Sequence, residues 1–156
     1  IKNQAKIKPF KNETGLPQDW KGKQIIEFGC GAGLKILHMG LNGANITGVD
    51  GSKVQIERIK NNAKELGIKG KFILSKLEDI NIESLPQADL IICSAVIHHV
   101  EEWKKLLVII SKVLKCDGYL YLTWGDWTLH LSGFNLKNQI AYRLGWNNKS
   151  RMMIIV

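Results

Sequence analysis

Short apolar runs of strand length alternate along this sequence with stretches of helical hydrophobic period. The strand-like runs cover residues 24–28, 45–50, 71–75, 88–94 and 119–124. Helical spacing fills most of the intervals, at 34–41, from 52 onward and from 101 onward. Strands that are separated by helices form a parallel sheet covered on both faces. The pattern therefore predicts an α/β protein with a doubly wound, mostly parallel sheet, whose strands end along one edge where ligands bind.

Two of the predicted helices carry clear signals at their ends. Ser52 and Gln55 have the spacing of a capping box, and Gly67 stands where that helix would stop. The apolar positions between them are Ile56, Ile59, Ala63 and Leu66. The third helix is expected to hold two acids in its first turn (Glu101, Glu102) and two lysines in its last (Lys112, Lys115). Its inner face would be Trp103, Leu106, Leu107, Ile110, Val113 and Leu114, followed by a turn at 116–118.

A length of 156 residues fits one domain, which the pattern divides into three parts. Residues 1–23 are interpreted as a lead-in, 24–126 as the ligand-binding core and 127–156 as a substrate-side or edge segment. Within the last part, 134–144 has a helical pattern, and 151–156 is compatible with a strand or another helix. Because the sequence starts with Ile1 and ends in an apolar run, we expect a piece of a longer polypeptide.

The net charge of +8 is concentrated at the two ends of the chain. Residues 24–126 hold twelve basic and twelve acidic side chains, whereas 1–23 and 127–156 carry +4 each. Such basic flanks would suit an anionic partner such as nucleic acid. The alternative is a lysine-rich background composition, since basic excess alone is a weak indication of nucleic-acid binding.

Cysteine usage and hydropathy narrow the class of protein. Cys30, Cys93 and Cys116 are too few and too scattered for a disulfide framework, and no C-x-x-C pair suggests zinc. With no basic-then-apolar leader, a reduced, cytoplasmic location is expected. The longest apolar runs, at 90–92 and 106–110, are too short to span a bilayer.

The first strand runs into the glycine-dense turn of residues 27–33, Glu-Phe-Gly-Cys-Gly-Ala-Gly. Such a turn lets the backbone approach a ligand closely. The dinucleotide fingerprint requires its third glycine where Leu34 stands, and no G-K-[ST] follows, so a P-loop is excluded. Spacing alone leaves a nucleoside or dinucleotide loop, strengthened by Asp50 at the end of the next strand. Glu27 is an unusual charge in an apolar strand, which favours a functional role.

These segments resemble the motifs of class I S-adenosylmethionine-dependent methyltransferases. Residues 26–33 with 48–50 look like the first two motifs, 88–92 like the fourth-strand motif, and 113–120 like the connection into the fifth strand. The resemblance covers roughly residues 20–126 and implies a Rossmann-like fold that binds S-adenosylmethionine. The sequence ends before the antiparallel strand pair that normally closes the family's sheet, so we expect a truncated or altered C-terminal edge.

The resemblance also implies a set of cofactor contacts. Glu27 and the glycines would hold the methionine end, and Asp50 would accept hydrogen bonds from both ribose hydroxyls. The acidic residue that meets the adenine falls near Lys76, so Glu78 or Asp79 would take that role from a shifted register. The full predicted set is Glu27, Phe28, Gly29, Cys30, Gly31, Gly33, Asp50, Gly51, Leu77, Glu78 and Ser94.

The acceptor side is expected after the fourth and fifth strands. His98, His99 and Asp126 are the candidate catalytic residues, with His130 as a further possible base. A histidine is the favoured proton acceptor, because its ordinary pKa of about 6.5 lies near working pH. Two adjacent histidines without other ligands do not make a metal site, so no metal is expected.

The functional prediction is methyl transfer from S-adenosylmethionine to a small molecule or to tRNA. The reaction needs mainly alignment and exclusion of water, with an optional base. The alternative is a non-catalytic module that binds the cofactor within a larger complex. A nicotinamide-dependent oxidoreductase is disfavoured by Leu34. The acceptor and the oligomeric state are left open by the sequence.

Overall fold

The computed structural model describes residues 19–123 and 151–155, and it confirms the predicted doubly wound parallel sheet. The strands are β1 (Gln24–Phe28), β2 (Asn45–Asp50), β3 (Gly70–Leu74), β4 (Ala88–Ser94), β5 (Leu114–Thr123) and β6 (Arg151–Ile155). The helices are α1 (Leu34–Leu41), α2 (Lys53–Glu65) and α3 (Trp103–Val113). Short 3₁₀ turns occur at Leu77–Asp79, Ile82–Ser84 and Ile97–His99. The division into a lead-in, a core and an edge segment stays a prediction.

Strand order positions the functional edge of the sheet. The order is β3-β2-β1-β4-β5-β6, and every pairing among the described strands is parallel. The chain therefore moves outward from β1 in one direction through β2 and β3, and in the other direction through β4 to β6. A crevice opens at the carboxyl ends of β1 and β4, where the direction reverses.

The core lies in two layers, one on each face of the sheet. Alternating side chains of β1 point to opposite faces, so Ile25 packs with α1 and α2 while Ile26 and Phe28 pack with α3. Residues Leu90–Ile92 of β4 are all completely buried, as expected for a central strand covered on both sides. The two layers hold β1 and β4 rigidly beneath the crevice.

The prediction for the third helix was wrong at both ends. Helix α3 begins at Trp103, so Glu101 and Glu102 precede it, and Lys115 already belongs to β5. The predicted turn at 116–118 is instead an irregularity inside β5, because Ala88 pairs with Leu114 and Leu90 pairs with Tyr119. The extra residues stand opposite Asp89, whose Oδ1 lies 2.9 Å from Lys115 Nζ. This long-range ion pair joins Lys115 of β5 to Asp89 of the neighbouring strand β4.

At the other end of the described chain, 151–155 forms a strand, which was one of the two predicted alternatives. It pairs in parallel with β5. The predicted helix at 134–144 lies outside the described residues. Within those residues, no helix combines the length and the apolar character needed to cross a membrane.

The start of α2 follows the predicted capping box only in part. Ser52 Oγ accepts a hydrogen bond from the Gln55 backbone N–H at 3.4 Å. The reciprocal bond is missing, because the Ser52 N–H donates to Asp50 Oδ1 and Gln55 Oε1 is buried with no partner among the described residues. Asp50 thus binds the Ser52 backbone N–H that the Gln55 side chain would accept from in a complete capping box.

We expect Ser52→Ala to lower the free energy of unfolding by about 0.5–1 kcal/mol, the low end for a cap because the bond is long. Gln55→Met should be neutral or stabilising, since it removes a buried oxygen that has no partner. Urea denaturation of both variants measures the difference. A larger loss for Gln55→Met than for Ser52→Ala would show that the Gln55 amide is bonded in solution.

Candidate functional site

The glycine turn lies at the carboxyl end of β1 and is tied to β2. The backbone N–H groups of Gly29 and Cys30 both donate to the Val49 carbonyl oxygen, at 2.8 and 3.1 Å. Gly29 has φ +69°, and a Cβ there would lie only 2.3 Å from Val96 Cγ2. Because both φ and space exclude a side chain, this position requires glycine.

Helix α2 supports the same turn from behind. Gly33 has φ +84°, and a Cβ there would lie 2.5 Å from Ile59 Cδ1. The Asn62 Nδ2 amide donates to the Ala32 carbonyl oxygen at 3.0 Å. The third glycine therefore permits close packing of the turn against α2, and its assignment to the cofactor stays a prediction.

Asp50, the last residue of β2, joins the glycine turn to the start of α2. Its Oδ2 accepts from the Gly31 backbone N–H at 2.9 Å, and its Oδ1 accepts from the Ser52 backbone N–H at 2.8 Å. A carboxylate has about four acceptor positions, so each oxygen keeps one. The two remaining positions suit the hydroxyls of a vicinal diol.

Glu27 is buried one residue before the end of β1. Its side chain is 4% exposed, and Oε2 has no hydrogen-bond partner within the described part of the chain. Burial raises the pKa of the carboxyl to about 7, although Lys35 and the Ile36 backbone N–H lower it and Asp50 raises it further. An acceptor atom buried without a donor fits a site that receives a cationic group.

A cleft of about 410 Å³ opens at the carboxyl edge of the sheet. It is lined by Gly29, Asp50, Gly51, Lys76, Leu77, Glu78, Val96, His99, Val100 and Glu101. Five of the predicted cofactor residues are in this lining, and so is one of the predicted catalytic residues. Their common location at the crevice between β1 and β4 makes this the candidate site.

The structure distinguishes the two carboxylates that follow β3. Asp79 Oδ1 lies 2.8 Å from Lys105 Nζ, and this hydrogen bond lowers the pKa of Asp79. Glu78 lines the cleft instead. Because Asp79 is engaged by a helix on the far side of the turn, Glu78 is the one placed to meet a ligand.

Other predicted cofactor residues lie outside the cleft lining. Phe28 is completely buried under α3. Cys30 is buried on the opposite face, where burial raises the pKa of its thiol to about 12 and keeps it neutral. Ser94 Oγ lies 3.0 Å from Thr123 Oγ1. Gly31 donates to Asp50 rather than facing the cleft.

The two histidines after β4 have different surroundings. Their ring centroids are 4.0 Å apart with a 49° angle between the planes. His99 is exposed and lines the cleft. His98 is half-buried, its Nδ1 has no partner in the described residues, and burial together with the neighbouring His99 lowers its pKa. Asp126 and His130 lie outside the described residues.

Four lining residues were missing from the predicted set: Lys76, Val96, Val100 and Glu101. For Lys76, the resemblance implied only that an acidic residue normally occurs near this position. Glu101 was assigned to a helix, and the late start of α3 frees it to line the cleft. The residues directly after β4 were the part of the sequence that indicated this side of the cleft. Among the residues described, no cluster of three His, Cys, Asp or Glu side chains suited to a metal occurs.

Comparison with known proteins places these features in one family. Residues 26–122, more than half of the chain, match the family model described as a methyltransferase domain. A ubiquinone biosynthesis O-methyltransferase of Vibrio atlanticus is 33% identical over 103 residues, which are 65% of this chain and 43% of that protein.

Two solved structures illustrate the range of similar folds. PKMT2 from Rickettsia typhi, in complex with AdoHcy, is 26% identical with a TM-score of 0.58, over 67% of this chain and 21% of that chain. The [4+2]-cyclase SpnF is 25% identical with a TM-score of 0.58, over 64% of this chain and 38% of that chain. The match covers less than half the length of each of these three similar proteins.

Proposed function

This chain belongs to the methyltransferase domain family, and on that premise we propose that it transfers a methyl group from S-adenosylmethionine to a hydroxyl oxygen of a small molecule. The observation that carries the proposal is the Asp50 carboxylate. It lines the cleft, is fixed by the Gly31 and Ser52 backbone N–H groups, and keeps two acceptor positions for a ribose diol.

The residues around Asp50 fit the rest of this cofactor. Glu27 supplies a buried oxygen that receives no hydrogen bond from the described residues, which suits the ammonium group at the methionine end. Gly29 leaves room at the cleft for the chain of the ligand, and Glu78 is the carboxylate that reaches the adenine side. The AdoHcy seen with the similar PKMT2 structure supports the same class of ligand.

A small acceptor is favoured over RNA by the charge of the cleft. Among the residues that the structure describes, its lining holds three carboxylates (Asp50, Glu78, Glu101) and one ammonium group, Lys76. Such a surface repels a polyanion. The similar protein of Vibrio atlanticus is named as an O-methyltransferase, which supports an oxygen nucleophile.

In this mechanism the protein aligns and shields the reactants. The bound cofactor supplies an electrophilic methyl group. Val96 and Val100 form an apolar wall of the cleft that limits water beside the acceptor. His99 lies on the same wall and accepts the hydroxyl proton as the oxygen attacks, while His98 packs against its ring and orients it. The proton that leaves the acceptor oxygen gives His99 a positive charge, which His99 loses when it passes the proton to solvent.

We expect release of S-adenosylhomocysteine when the protein is incubated with S-adenosylmethionine and a pool of phenols and other hydroxylated metabolites. Bulk tRNA should give no release above the background without an acceptor. Mass spectrometry of the pool identifies the methylated product. Release with tRNA alone would contradict the small-molecule proposal and would direct attention to the basic segments 1–23 and 127–156.

A second candidate is a module that binds the cofactor without methyl transfer. The observation in its favour is the similarity to a protein that is named as a [4+2]-cyclase. In that case S-adenosylmethionine would bind in calorimetry while no acceptor pool released S-adenosylhomocysteine.

The buried, free thiols of Cys30 and Cys93 support a cytoplasmic location for either function.

A further inference from the structure

Glu27 occupies a position where the effect of burial outweighs the compensation of a negative charge by Lys35 and the Ile36 backbone N–H. It lies in β1 between Gly48 of β2 and Ile92 of β4, and it is 4% exposed. Its Oε2 has no hydrogen-bond partner in the part of the chain that the structure describes. An ionised carboxylate in such a place is costly, and the neutral acid is favoured until a cation arrives.

The titratable and charged groups that face Glu27 do not remove this cost. They are Lys35 of α1, Asp50 of β2, Cys30 of the glycine turn and Cys93 of β4. Lys35 and the Ile36 backbone N–H lower the pKa of Glu27 and Asp50 raises it, while burial raises the pKa of both thiols to about 12, so they stay neutral. Burial then decides, and it raises the pKa of Glu27 to about 7.

The side chain of Glu27 is not part of the cleft lining, but two residues of that lining connect it to the cleft. Gly29, two residues further along, lines the cleft, and so does Asp50, whose charge acts on Glu27. A positive group bound there would stand in a region of low dielectric, where charges interact more strongly than in water.

We propose that at mildly acidic pH Glu27 is largely protonated in the free protein and gives up that proton when a cationic ligand occupies the cleft. The O–H bond of the carboxylic acid breaks, the proton passes to the solvent buffer, and the carboxylate remains opposite the ligand's positive charge. The inference rests on the proposed function, since S-adenosylmethionine carries an ammonium and a sulfonium group. It makes Glu27 the group that couples cofactor binding to pH.

The test is isothermal calorimetry with S-adenosylhomocysteine, which carries the ammonium group and permits no turnover. At pH 6, in buffers of different ionisation enthalpy, the full chain should release most of one proton per ligand, because burial raises the pKa of Glu27 to about 7. At this pH the ligand's own α-amino group, with a pKa of about 7.7–8.0, is already protonated and does not contribute.

Glu27→Gln distinguishes proton release by Glu27 from proton release by any other group of the protein. This variant should lose most of the proton release and most of the rise in affinity between pH 6 and pH 7. Glu57→Gln, an exposed carboxylate on α2, is the matched control and should behave as the unchanged protein does. Repeating the titration with S-adenosylmethionine adds the sulfonium charge and should not reduce the release.

A readout without ligand covers the case in which Glu27→Gln alters folding. A raised acid pKa means that the folded state binds more protons than the unfolded state between about pH 4.5 and pH 7. Stability of the unchanged protein should therefore fall, relative to Glu27→Gln, as pH rises through this window.

Failure of this inference and failure of the proposed function would give different results. Ligand binding with no proton release at pH 6, or equal release by Glu27→Gln, would overturn the inference and leave the proposed function standing. Absence of binding by either nucleoside at any pH would overturn the proposed function, and this inference with it.

Discussion

Asp50→Ala is expected to weaken binding of S-adenosylmethionine by about 10- to 150-fold. That range corresponds to about 1.5–3 kcal/mol, the usual contribution of hydrogen bonds to a charged group. The free energy of unfolding should fall as well, because the Gly31 and Ser52 N–H groups lose their acceptor. Calorimetry for the ligand and urea denaturation for the fold measure the two effects separately.

Asp89→Ala provides a matched control at the opposite edge of the sheet. Asp89 also accepts two hydrogen bonds, from the Gln24 backbone N–H at 2.8 Å and from Lys115 Nζ at 2.9 Å. It lies at the amino end of β4, away from the cleft, so its loss should lower stability and leave cofactor affinity unchanged. Equal affinity for Asp50→Ala and the unchanged protein would mean that the ribose is held elsewhere.

Gly29→Ala is expected to lower the free energy of unfolding by about 2–5 kcal/mol. A positive φ costs a residue with a Cβ about 1–2 kcal/mol. Overpacking adds about 1–3 kcal/mol, because the new methyl group would meet Val96, a short branched side chain with little freedom to move. Thermal or urea unfolding gives the value.

Two comparisons separate the conformational cost of the positive φ from the steric clash with Val96. Gly67 has a similar φ of +67° with no atom within 4 Å of a Cβ, so Gly67→Ala should show the conformational cost alone. In a Val96→Ala background, the cost of Gly29→Ala should fall towards the same value, which a double-mutant cycle detects as a coupling energy. If Gly29→Ala and Gly67→Ala were equally destabilising, contact with Val96 would play no part.

Sequence reasoning located the strands of the sheet well. Four of the five predicted strands begin and end within one residue of the observed bounds, because each is a short apolar run flanked by glycine, proline or polar residues. The fifth was predicted to begin at Tyr119, and the observed β5 begins at Leu114. The difference arises because Leu114 pairs with Ala88 of β4 ahead of the irregularity, and this pairing joins residues far apart in the chain.

The start of α3 and its consequence for the cleft were missed for a related reason. A first turn rich in acids is a sound local signal. The chain after β4 instead makes a 3₁₀ turn at Ile97–His99, which delays the helix to Trp103 and leaves Glu101 at the cleft wall. The charge pattern of the sequence does not predict where α3 starts, since that position depends on how the turn packs over β1 and β4.

The sequence by itself determined the order of strands and helices, the glycine turn after β1 and the acidic residue that ends β2. These features follow from local periodicity and from the backbone conformations that glycine permits. Only the tertiary structure decided that Glu78 rather than Asp79 faces the cleft, because Lys105 arrives from α3 to engage Asp79. It also decided that Glu27 Oε2 is buried with no partner among residues 19–123 and 151–155, since burial depends on contacts from both faces of the sheet.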